Sequence, residues 1–173
     1  MKVLVIHATC GAGHLKAAEA ICHEIKTYTS HEVKIVDALD YTSPLVKRIY
    51  QQGYSFLISR MPFLWAAAFR LCDVEWLQSF IQFLRRFNNS LAAKNLHRYL
   101  IEQQFDYIFS AHFMPTEVAC YLKREGSIKS KVVTVITDYK AHRIWTQKGN
   151  YLYAVACEKT KQESPSQQFL FHQ

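Results

Sequence analysis

The sequence contains no Cys-x-x-Cys pair. Its five cysteines, Cys10, Cys22, Cys72, Cys120 and Cys157, are odd in number and widely scattered. Spacing of this kind argues against a disulfide framework and a zinc site, so a reducing, cytoplasmic setting is expected. No pair of histidines has metal-ligand spacing, and no metal is expected. The apolar run after Met1-Lys2 is too short for a signal peptide and lacks a small-residue cleavage pattern. The longest nearly uncharged window, Met61 to Cys72, is interrupted by Arg70. It falls well short of the ~20 apolar residues that cross a bilayer, so no transmembrane segment is expected. Internal repeats, low-complexity segments, Lys/Arg-rich runs and aromatic RNA platforms are also missing, which leaves nucleic acid without a motif to support it as a partner.

What is present describes a folded domain. Half of the residues are hydrophobic and 20% are charged, in a chain of 173 residues that can bury its core without staples. The formal net charge of +7 favours anionic partners without choosing among nucleic acid, an anionic lipid surface and a phosphorylated ligand.

Four segments, Val3–His7, Val33–Val36, Tyr107–Phe109 and Val132–Thr137, carry the continuous apolar runs of parallel strands covered on both faces, and Tyr151–Ala156 is a fifth candidate. Helical stretches separate them, among them Ala17–Tyr28 and Thr116–Arg124, with Pro115 near a helix start. The alternation predicts an α/β, Rossmann-like doubly wound parallel sheet, with ligand groups at the carboxyl ends of the strands. Past those ends lie Gly11–His14, Asp37–Asp40, Ser110–His112 and Asp138–His142, all rich in polar candidates. The interval 44–104 reads as a long, mostly helical insertion. It has a Met61-Pro62 break, and an apolar stripe runs through Trp76, Leu77, Phe80, Ile81, Leu84 and Phe87. The residues from Glu163 to Gln168 read as an unstructured tail.

The first strand runs straight into Cys10-Gly11-Ala12-Gly13-His14 and then into a helix. This strand–turn–helix aims backbone N–H groups at an anion or polar ligand. Lys16 stands where the third glycine of a dinucleotide fingerprint belongs, and no Lys-Ser/Thr pair completes a P-loop. His14 instead occupies the first turn, where the helix dipole discourages its protonation. The plain alternative is a tight turn with a capping histidine. For Asp138 the plain alternative is a helix or turn cap, for Trp145 a core position, and for His7, inside a strand, a satisfied buried histidine.

The Gly11-x-Gly13-His14-x-x-Ala17-Ala18 turn and helix resemble the opening of the diacylglycerol glycosyltransferases, the group of monogalactosyldiacylglycerol synthases and processive diacylglycerol glucosyltransferases. Val135-Ile136-Thr137-Asp138 followed by His142-x-x-Trp145 resembles the family's T-D…H-x-x-W segment, and Ala156–Lys161 resembles the stretch before its interdomain region. The resemblance implies that residues 1–161 are the amino-terminal, acceptor-side half of a GT-B fold, with 162–173 a tail unlike the family. The donor-binding half would be absent, so activity is expected only with a donor domain supplied in trans. It also implies glycolipid synthesis, the inverting transfer of a hexose from a UDP-sugar to diacylglycerol. No resident cofactor is implied, since the UDP-sugar is a substrate.

On this resemblance His14 and Asp138 are the catalytic candidates, with the base left open between them. Gly11, Gly13, His112, His142 and Trp145 would contact substrate. The aromatic and basic stretch from Lys47 to Phe87 would either dock on an anionic membrane, through Phe63, Trp65, Phe69 and Trp76, or form domain core. The expected location is cytoplasmic and peripheral to the membrane. The alternative reading is a non-catalytic peripheral lipid-binding module.

Overall fold

Strand β1 (Lys2–His7) is apolar on both faces because both faces are covered. Leu4 and Ile6, with Ala8 beyond the strand, pack into one cluster with Leu96, Leu100, Met114 and Val118, while Val5 packs on the opposite face against Ala18 and Cys22. The computed structural model describes residues 1–61, 63–64, 67, 93–138, 143–162 and 169–171. Among these, β1 is followed by helix α1 (Ala12–Tyr28), β2 (Glu32–Asp37), a 3-10 turn at Ala38–Tyr41 and α2 (Pro44–Arg60). The order continues with α3 (Lys94–Gln103), β3 (Tyr107–Ser110), α4 (Phe113–Arg124), β4 (Lys131–Ile136) and a 3-10 turn at Arg143–Trp145. It closes with β5 (Leu152–Val155), α5 (Glu158–Gln162) and β6 (Phe169–Phe171).

The strands form one parallel sheet in the order β2-β1-β3-β4-β5-β6. From β1 the chain steps outward to β2, then returns across β1 to β3. The loops after β1 and β3 therefore diverge to opposite faces and leave a crevice at their carboxyl ends, the usual ligand position of such sheets. The expected doubly wound α/β fold is present, with the Rossmann-like parallel sheet that suits the amino-terminal half of a GT-B fold.

Three details differ from the sequence reading. Segment Val33–Val36 reads as covered on both faces, yet β2 is the edge strand and Ile35 is exposed. Val33 packs on the α1 side and Val36 against the opposite cluster, but cover is partial at the edge and stops short of Ile35. A strand at Phe169–Phe171 is the second: none was expected there, yet it pairs in parallel with β5, Tyr153 opposite Phe169, while the Glu163–Gln168 stretch read as an unstructured tail lies outside the described residues. The short Phe-Leu-Phe run is a strand signal too brief to separate from an irregular end by pattern alone. Finally, α4 starts at Phe113 rather than Thr116, because His112 caps it through its own ring. The stripe from Trp76 to Phe87, together with Trp65, Phe69, Arg70, Arg85 and Arg86, lies outside the described residues.

Ile108, fully buried at the centre of β3, touches the main cluster. Ile108→Ala is expected to cost about 2–5 kcal/mol in denaturant unfolding, from lost transfer energy and the cavity left behind. Ile35→Ala on the exposed edge should cost well under that.

Candidate functional site

The β1–α1 turn is shaped by Gly11, whose φ of 114° lies in a region that other residues avoid. Gly13 is different: it is already helical, and a Cβ built there meets nothing within 4 Å. Gly11 is thus required by the backbone, while Gly13 leaves open space above the first turn. Neither glycine is covered by protein, since both are exposed.

His14, in that first turn, reaches across the switch point. Its Nδ1 lies 2.8 Å from the Ala111 carbonyl oxygen and 2.9 Å from Thr137 Oγ1. A carbonyl can only accept, so Nδ1 carries the proton and donates it, and Nε2 holds the lone pair. No described residue hydrogen-bonds with Nε2. Burial pushes the His14 pKa below the ordinary imidazole value. The nearby His7 ring adds to this, while the Ala111 carbonyl and the Asp138 charge pull the other way. Burial prevails, and the ring is held neutral with a basic nitrogen available.

His112 caps α4 by accepting the Met114 N–H on Nδ1 at 3.1 Å, which places its proton on Nε2. Its carbonyl accepts the Ser110 and Thr116 hydroxyls at 2.9 and 3.0 Å. At 2% exposure it is buried, and its ring lies against that of His14 with centroids 4.9 Å apart and planes at 80°. Asp138, just past β4, accepts the Trp145 indole N–H on Oδ2 at 2.7 Å. Trp145 is itself buried, its ring tilted 6.2 Å from that of His14 and edge-on 6.5 Å from that of His112. Four of the sequence-predicted residues, His14, His112, Asp138 and Trp145, are therefore one cluster spanning the ends of β1, β3 and β4. His142 lies outside the described residues.

The structure adds Thr137 and the Ala111 carbonyl, which sequence reasoning missed, and gives Asp37, one of the polar candidates past β2, its partners. The Thr137 hydroxyl stood in the T-D pair but was passed over for its acidic neighbour. The Ala111 carbonyl is backbone and has no sequence signature. Asp37 ends β2 and accepts the Thr9 and Leu39 N–H groups on Oδ1. His7 is a correction: it reads as a satisfied buried histidine, and it is buried at 5% exposure, yet its Nδ1 has no partner among the described residues. Burial holds the ring below the ordinary imidazole pKa, so the uncharged form is the one kept inside the sheet. Cys10, although in the turn, is no thiolate nucleophile, because burial and the Asp37 charge push its thiol up to about 11. Among the described residues no group of three or more His, Cys, Asp or Glu side chains could hold a metal ion.

The pH dependence has a definite sign. His7, His14 and His97 are all held below 6.5 by burial. As pH falls through 6.5, the unfolded chain takes up protons that the native chain refuses, so stability is full above that value and declines below it. Denaturant midpoints are expected to drop on acidification through this window, and NMR titration of His14 should give a midpoint below 6.5. A midpoint above 6.5 would mean the Ala111 and Asp138 contributions outweigh burial.

A family model described as monogalactosyldiacylglycerol (MGDG) synthase matches residues 14–168, beginning at the site histidine. The processive diacylglycerol beta-glucosyltransferases of Staphylococcus aureus strains JH9 and Newman are each 23% identical over 177 residues, covering 94% of this chain and 40% of the relative. The chain thus spans about two fifths of the length of the curated relatives it matches. No solved structure matches it. With a parallel sheet whose switch point carries the histidine where the family match starts, and with that match running over most of its length, the chain belongs to the monogalactosyldiacylglycerol synthase family.

Proposed function

We propose that this chain is the acceptor-side domain of an inverting glycosyltransferase of glycolipid synthesis, which moves a hexose from a UDP-sugar to diacylglycerol. The observation that carries the reading is the neutral His14 at the switch point, with Nδ1–H tied to Ala111 and Nε2 left to act. In the proposed step, Nε2 takes the proton of the acceptor hydroxyl as its oxygen attacks the anomeric carbon. The bond to the UDP oxygen breaks, UDP leaves, and the configuration inverts once with no sugar bound to the protein. The imidazolium that forms is met by the Ala111 carbonyl and the Asp138 charge, the two influences that already favour it. Gly11 and Gly13 leave the turn open for backbone contact with the acceptor or the diphosphate. Trp145 orients Asp138, and His112 walls the ring of His14. Activity is proposed to need a donor-binding unit, whether continuous with this chain or supplied in trans.

The acceptor is a membrane lipid, and α2 supports peripheral docking in the cytoplasm. Leu45, Ile49 and Phe56 are 67%, 60% and 57% exposed, and their i, i+4, i+11 spacing puts them on one stripe. Arg48 and Arg60 share the helix. An exposed apolar stripe with basic neighbours fits the interface of an anionic bilayer. Among the described residues no helix is long and apolar enough to cross a membrane. The same stripe favours the second reading, a lipid-binding module without chemistry.

The transfer assay separates these readings, and vesicle binding tests the docking helix that both share. Transfer from UDP-glucose or UDP-galactose to diacylglycerol in anionic vesicles, with a donor domain added, is expected to fall by about 10²–10⁴-fold in His14→Ala. Vesicle binding without product under any condition would leave the binding module. In co-sedimentation with the same vesicles, replacing Leu45, Ile49 and Phe56 together by Ser should release most of the protein. Undiminished binding would remove α2 as the docking element.

A further inference from the structure

The turn that carries His14 lacks support of its own. Helix α1 has no side-chain cap at its Gly11 N-terminus, and the turn's internal bond is Cys10 N–H to the Ala8 carbonyl at 2.8 Å. Gly11 has the widest backbone freedom of any residue in that segment. The support comes instead from the neighbouring strand. One oxygen of Asp37 accepts the Thr9 N–H at 3.3 Å, at the start of the turn, and the Leu39 N–H at 2.9 Å, at the start of the 3-10 turn. Leu39 in turn accepts both the N–H and the hydroxyl of Thr42 on its carbonyl, and Ser43 next along caps α2. A single carboxylate oxygen thus ties the β1–α1 turn to the approach of α2. His7, in register with Asp37 on β1, has no partner for its Nδ1 among the described residues and does not take Asp37 away from these two amides.

The geometry points to Asp37 as a positioning residue: it fixes the glycine turn, and through the turn the placement of His14 against Ala111, while anchoring the start of the α2 docking helix to the same point. This rests on the reading of His14 as the reacting group, but its test does not. Charge-assisted acceptance of backbone N–H groups is among the stronger hydrogen bonds available to a partly exposed turn. Asn at this position would keep the acceptor oxygen and the shape, whereas Ala would remove both.

The test is a set of ¹H–¹⁵N spectra of the histidine rings and backbone amides of the full chain. Asp37→Ala is expected to shift the Thr9 and Leu39 amides and to move the His14 ring signals away from their positions in the parent. Asp37→Asn is expected to restore the parent ring signals. His14 ring signals that stay in place in a folded Asp37→Ala would overturn the proposal, even if stability falls, since a merely structural carboxylate would lower stability and leave the ring alone. Should Asp37→Ala fail to fold, hydrogen exchange of the Thr9 amide in the parent decides. Protection relative to an unstructured amide supports the tie, and exchange at the unstructured rate overturns it. Loss of sugar transfer in His14→Ala bears only on the proposed function, so the two ideas fail separately.

Discussion

The hydrogen bond from His14 Nδ1 to the Ala111 carbonyl is the contact on which the site depends. It crosses from the helix after β1 to the loop after β3, the two segments that the strand order sends to opposite faces of the sheet. The Ala111 N–H bond to the Ile6 carbonyl and the packing of Ala111 with Ala18 already join the two walls, and the histidine bond adds the polar tie at their rim. With it, the ring has one tautomer, one orientation and a defined free nitrogen. The bond also resists the burial that it accompanies: a carbonyl acceptor favours the imidazolium, while removal from water disfavours it. Because burial is the larger effect, the ring rests neutral but sits beside groups that favour its protonated form.

The far wall of the crevice is held by a polar chain that runs through the core. Ser110 and Thr116 donate to the His112 carbonyl, and Thr134 on β4 donates to Asn150, before β5, with Thr116 3.3 Å away. Ser110, Thr116 and Thr134 are all fully buried, so each hydroxyl must find a partner inside the protein. That requirement locks β3, α4, β4 and the β4–β5 loop into one register, and His112 inherits the rigidity of all four. A histidine with both its ring and its carbonyl committed in this way is poorly placed to follow a ligand and well placed to limit where His14 can move.

Much of this was legible in the residues themselves. Strands β1, β3, β4 and β5 announced themselves by continuous apolar runs, and the residues after β1, β3 and β4 were the polar candidates that the sheet then gathered. His14 was marked by position, as a histidine following a glycine turn. What could not be read were relations across long sequence separations. Ala111 contributes a carbonyl, which any residue could supply. The burial of His112 depends on packing by Phe113 and Trp145, and its capping role on a ring rotamer. The edge position of β2 follows from chain order in space, which apolar content does not encode, and the three-residue β6 gains its strand character only from the partner beside it.

The division of labour between the two catalytic candidates follows from how differently they are held. Asp138 has one oxygen engaged by an indole whose own ring is buried, so its direction is fixed and its charge is carried to the edge of the crevice. His14 is held by the nitrogen that does not react, which leaves the other free in direction and in protonation. For the proposed transfer, a mobile proton and a stationary charge are both needed, and pairing unlike groups in unlike surroundings is how a site keeps them distinct. The assignment of base to His14 and of counter-charge to Asp138 uses each group in the state its neighbours impose. In that assignment the proton that burial opposes on His14 arrives only as the acceptor attacks, and the Ala111 carbonyl and the Asp138 charge are already in place to favour it.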